Sequence, residues 1–82
     1  MIHIGQIIAE EMQKRGCTKA WLAKQLYCHP TNIGKLLKRQ SVDTEQLLKI
    51  SKIMGINFFE YYAQEFIQEK ISVKQENYSI SK

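Results

Sequence analysis

The sequence predicts an all-α fold, a compact bundle of four to five short helices followed by a disordered C-terminal tail. Three observations carry that prediction. Apolar residues recur at helical spacing in successive short segments. Each segment begins or ends at a residue suited to cap a helix. No segment shows the alternation or β-branched enrichment of a strand. At 82 residues the chain makes one small domain, with residues 1–70 as its folded part and residues 71–82 as the tail.

The first helix spans residues 3–15, with Ile4, Ile7, Ile8 and Met12 on one face and Gly16 as its stop. Thr18 caps the second helix, which turns Leu22, Ala23 and Leu26 inward. Tyr27, Cys28 and His29 form a break. Pro30 opens the third helix at its first position, where a missing N–H and a fixed φ cost nothing. His29, biased toward an extended conformation by the proline after it, takes the cap position. Ile33, Leu36 and Leu37 are the apolar stripe of this helix. Asp43 with Gln46 has the form of a capping box for a fourth helix, which carries Leu47, Leu48, Ile50 and Met54 and stops at Gly55. Asn57 with Glu60 repeats the signature before a fifth helix over residues 58–70. From Ile71 onward the chain turns polar and Ser-rich, the composition of a frayed end.

The net charge of +4 is unevenly spread: residues 14–52 hold nine Lys or Arg against only Asp43 and Glu45. Positive charge gathered in one segment suits a polyanionic partner. No stretch has the apolar length to cross a bilayer and the N-terminus lacks the form of a signal peptide, so the expectation is a soluble, cytoplasmic protein. Cys17 and Cys28 are too few for a disulfide framework and read as reduced thiols. With His3 and His29 they form no CxxC or HxxxH spacing, so no metal site is expected. There is also no glycine-rich phosphate loop and no Ser-His-Asp candidate set, which leaves no enzyme and no cofactor to propose.

Residues 18–38 therefore hold two short helical patterns separated by a three-residue break, the sequence form of a helix-turn-helix. On a helical wheel of residues 30–38, Thr31, Lys35 and Lys38 fall opposite Ile33, Leu36 and Leu37, with Asn32 and Arg39 flanking them. This combination fits the edges of base pairs in a major groove. Lys donates to guanine O6 and N7, Asn pairs with adenine, and Thr offers a hydroxyl and a methyl. Lys38 and Arg39, at the far end, suit phosphates, which fix register without carrying sequence.

The run WLAKQLYCHPTNIGKLLK resembles the Xre-type, lambda-repressor-like helix-turn-helix family of bacterial and phage regulators. Leu22-Ala23 sits mid-helix, Leu26 at the helix end, His29 at the cap, then polar readers, Ile33 and Leu36. Residues 42–62 resemble the family's downstream loop, Leu-rich helix and small-residue stop. The resemblance implies a four- to five-helix bundle that binds operator DNA, commonly as a dimer. By position it implies base readout by Pro30, Thr31, Asn32 and Lys35. Lys19 matches a start-of-helix position that often holds a phosphate-touching glutamine, and Lys24, Lys38 and Arg39 complete the candidate phosphate contacts. Two residues depart from the pattern. Tyr27 stands where the turn usually has glycine, at a cost of about 1–2 kcal/mol if its φ is positive. Pro30 stands where a base-reading amide is common.

Two features lie outside that surface. Trp21 falls on the flank of the second helix, where the expected cover is a terminal segment of its own chain; the alternative is a docking site for a partner. On the fifth helix, Phe59, Tyr62, Ala63 and Phe66 form a stripe suited to docking on the domain. Phe58, Tyr61 and Ile67 lie beside it, and the surplus predicts a homodimer contact built from Phe58, Tyr61, Tyr62, Phe66 and Ile67. Two other uses are open for these aromatic side chains: an antitoxin-like regulator gripping a small toxin-like protein, or a bundle used only for protein interaction.

Overall fold

Side chains at the helix starts decide where each helix begins. His3 Nδ1 accepts a hydrogen bond from the Gln6 amide at 3.1 Å, and Thr18 Oγ1 from the Trp21 amide at 3.0 Å. His29 Nδ1 accepts from the Thr31 amide at 3.1 Å, and Asp43 Oδ1 from the Gln46 amide at 2.8 Å. Each bond satisfies a backbone donor that the first turn of a helix leaves without a partner. The resulting elements, in a computed structural model that describes the backbone of residues 1–73 and the side chains of residues 1–68, are α1 (Ile4–Arg15), α2 (Lys19–Gln25), α3 (Pro30–Leu36), α4 (Thr44–Met54) and α5 (Phe59–Val73). There is no strand among the described residues.

The ends are set by a second local rule. After α1, α2 and α4 the chain passes through a left-handed residue: Gly16 (φ 70°), Tyr27 (φ 57°) and Gly55 (φ 67°). Such a residue reverses the backbone so that the following amides bond back to the last free carbonyls. Cys17 and Cys28 hold the same place in two of these turns. The Cys17 amide donates to the Met12 carbonyl at 2.8 Å and the Cys28 amide to the Ala23 carbonyl at 2.9 Å. Both thiols are free, half-buried, and packed against the core.

The core draws on all five segments. Ile4, Ile8 and Met12 of α1 meet Leu22 and Ala23 of α2, Ile33 and Leu36 of α3, and Leu47, Ile50 and Met54 of α4, with Phe58 beside them. Ile7, Leu26 and Leu37 pack against it half-buried.

Four expectations are corrected here. Phe58 is fully buried rather than part of an interface. It precedes α5, where its amide bonds to the Ile56 carbonyl at 3.1 Å and to Ser51 Oγ at 3.3 Å, so the helical wheel does not govern its direction. The stripe expected to dock α5 is displaced as well: Phe59 is half-buried, but every residue from Tyr61 to Gln68 is exposed. Leu48 stands 44% exposed on the outer side of α4. Finally, α5 continues past Lys70 to Val73, because a Ser-rich composition without Gly or Pro does not stop a helix. Residues 74–82 of the expected tail lie outside the described residues.

A close backbone approach joins the start of α1 to the segment after α3. The Ile4 amide donates to the Gln40 carbonyl at 2.9 Å and the Gly5 amide to the Arg39 carbonyl at 3.0 Å. A Cβ on Gly5 would lie 2.5 Å from the Arg39 carbonyl oxygen, 2.6 Å from that of Leu37 and 2.8 Å from that of Leu36. All three obstacles are backbone, so a side chain there would force the two elements apart. Gly5→Ala is therefore expected to lower stability by about 1–3 kcal/mol, the usual range for overpacking. Urea unfolding measures it, and an unchanged midpoint would show that the junction is looser than its distances indicate.

Candidate nucleic-acid interface

The sequence from Thr18 to Leu37 places two short helices at a fixed angle through its turn. α2 ends at Leu26, and the Tyr27 amide donates to the Lys24 carbonyl at 3.3 Å, with Cys28 closing onto Ala23. His29 is extended (ψ 143°) and Pro30 starts α3. The acceptor on His29 is Nδ1, 3.1 Å from the Thr31 amide. Ile33 and Leu36 are buried on the inner side of α3. Pro30, Thr31, Asn32 and Lys35 are all exposed on this helix, so the side chains expected to read bases share one accessible element.

The expected phosphate contacts divide into groups. Lys19, in the first turn of α2, reaches across to α3: its Nζ lies 3.9 Å from where a Cβ on Gly34 would stand. The Lys19 ammonium therefore stands within van der Waals reach of the middle of α3. Lys24 is exposed in the last turn of α2, at the opposite end from Lys19. Lys38 and Arg39 are exposed but are not helical, because α3 stops at Leu36 and tighter bonds follow. The Lys38 amide donates to the Lys35 carbonyl at 3.1 Å, and the Arg39 amide to the Leu36 carbonyl at 3.0 Å. The wheel drawn through residue 38 therefore misplaces the last two cations. Their positions follow the turn that carries the Arg39 and Gln40 carbonyls to the start of α1.

Asn32, Lys35 and Arg39 line one cleft together with Lys49 of α4. Lys49 was not among the expected contacts; the only signal for it in the sequence is its place in the basic segment. Trp21 keeps 37% of its surface in solvent, so its own chain covers it only in part. Among the described residues no group of three or more His, Cys, Asp or Glu is arranged to hold a metal ion.

No family model, curated protein or solved structure matches this chain.

Tyr27 is the one described non-glycine residue with positive φ, and its side chain is 96% exposed. Packing therefore does not compensate for its left-handed backbone. Tyr27→Gly is expected to raise stability by about 1 kcal/mol, the left-handed penalty less the greater freedom of glycine in the unfolded chain. Thermal unfolding at matched concentration tests this, and a destabilised variant would mean that the ring makes a stabilising contact.

Proposed function

We propose that this chain is a sequence-specific DNA-binding transcriptional regulator of the Xre-type, lambda-repressor-like helix-turn-helix class. In this reading it is a repressor that binds a palindromic operator as a homodimer. α3 enters the major groove, and half-sites lie about 10–10.5 bp apart. The observation that carries the reading is the two-sided character of α3: Ile33 and Leu36 are buried while Thr31, Asn32 and Lys35 are exposed. Thr31, Asn32 and Lys35 read bases, Pro30 sets the start of the helix, and Lys19, Lys24, Lys38 and Arg39 hold phosphates. The protein is cytoplasmic and non-enzymatic in this reading, and no helix among the described residues is long and apolar enough to cross a membrane.

The dimer contact proposed for α5 uses Tyr61, Tyr62, Phe66 and Ile67, exposed by 37%, 38%, 64% and 47%. Phe58, buried in the core, is no longer among its residues. A helix that exposes several large apolar side chains in succession gains from a partner that covers them. The same surface, with Trp21 and Leu48, supports a second reading in which a small toxin-like protein or another partner is the main ligand.

Selection from random duplexes, with sequencing of the retained fraction, tests the first reading. An enriched palindrome is the expected result. Asn32→Ala and Lys35→Ala should each weaken binding to the selected operator by about 1–3 kcal/mol and relax its sequence preference. Unaltered discrimination against scrambled DNA in both variants would sink the assignment of these residues. For the dimer, Ile67→Glu should raise the dissociation constant at least about tenfold, roughly 1.4 kcal/mol, while leaving the thermal stability of the monomer intact. Sedimentation equilibrium provides the readout, and an unchanged dissociation constant would remove α5 from the interface.

A further inference from the structure

Between α3 and α4 lies a cleft of about 380 Å³ whose lining divides by chemistry. Lys35 of α3, Arg39 just after it and Lys49 of α4 line it together with the apolar Leu26, Leu36 and Val42. Asp43 is the only carboxylate in the lining, and its Oδ1 already accepts the Gln46 amide at 2.8 Å. None of the three cations is in a salt bridge among the described residues. Three cations around one cleft, opposed by a single carboxylate engaged in a helix cap, favour an anion there.

The size and the lining narrow the class of anion. A cleft of this volume falls within the range of about 300–1,000 Å³ typical of small-ligand sites, and it would be mostly empty around a bare inorganic ion. Its lining combines cationic with apolar side chains. A sugar-phosphate unit has the matching halves, an anionic phosphate and a ring with apolar C–H faces.

We propose that this cleft seats a nucleotide's sugar-phosphate unit, with the phosphate on Arg39 and Lys49, the sugar over Leu26, Leu36 and Val42, and Lys35 at the edge of the cleft left to the bases. The unit belongs to a DNA strand beside the groove that α3 enters, a source that rests on the DNA-binding reading above. A free nucleotide offers the same chemistry. The seat extends the binding surface beyond residues 18–39 onto α4 and gives Lys49 a role as a phosphate ligand.

The test uses the full chain as wild type, Lys49→Ala and, as a charge-matched control, Lys52→Ala in the last turn of α4. Affinity for a random-sequence duplex is measured across a salt series. Loss of one phosphate contact should lower the slope of log K against log salt by about 0.9 in Lys49→Ala, with Lys52→Ala like wild type. In a second arm, adenosine monophosphate is titrated without DNA while backbone amide shifts of residues 42–49 are followed. A slope change confined to Lys49→Ala assigns the seat to a DNA strand. An unchanged slope, with nucleotide-induced shifts that vanish in Lys49→Ala, assigns it to a free nucleotide. Equal losses of slope in both variants without such shifts, or no effect in either arm, would overturn the seat. If the wild type binds no duplex, the regulator reading fails, and the nucleotide titration alone decides the cleft.

Discussion

The junction between the start of α1 and the end of α3 is the constraint on which the rest of the structure depends. The first amides of α1 and the last carbonyls after α3 are groups that helices leave without internal partners. Here Ile4 and Gly5 donate directly to the Gln40 and Arg39 carbonyls, which satisfies two amides that the first turn of α1 leaves free. The approach needs a residue with no Cβ, which Gly5 supplies. Ile4 and Ile8 are then placed in the core against Ile33 and Leu36, with the inner side of α3 fixed and its outer side exposed. The same turn carries Lys38 and Arg39 off the helix. A contact between backbone groups thus decides which side chains α3 can present and where its cations stand.

Around that junction the helices are too short to be stable alone: α2 and α3 have seven residues each, well below the length at which an isolated helix is stable in water. Their existence depends on capping and on shared burial. A histidine starts α3 through its ring nitrogen, and a tyrosine closes α2 in a conformation that elsewhere among the described residues only glycine adopts. The strain at Tyr27 sits in the turn that sets the angle between α2 and α3. Their mutual contact is the densest between any two elements among the described residues, which gives the turn a firm support on both sides.

The surface divides in a way that follows from charge and burial together. Four of the cations that the sequence spreads over residues 14–52 stand at α3 or the cleft beside it: Lys19 near Gly34, and Lys35, Arg39 and Lys49 in the cleft lining. The exposed large apolar side chains gather instead on α5, with Trp21 on α2 and Leu48 on α4. The exposed cations and the exposed apolar side chains are thus different residues, which allows a mutation to alter one set without the other.

The sequence by itself determined the five helices and the limits of those with a cap or a stop beside them, because caps and stops are local chemistry. Thr18, His29, Asp43, Gly16 and Gly55 act within a few residues of where they stand. Periodicity likewise marked the inner faces of α1 through α4, since a buried stripe repeats with the helix. Tertiary structure alone decided what depends on residues distant in the chain. The need for glycine at position 5 comes from carbonyls more than thirty residues away, and the place of Lys49 in the cleft comes from the packing of α4 beside α3. Phe58 shows where the two kinds of information part. An aromatic residue one position before a helix follows the loop that delivers it, and here the loop delivers it to the core and leaves Tyr61 to Gln68 in solvent.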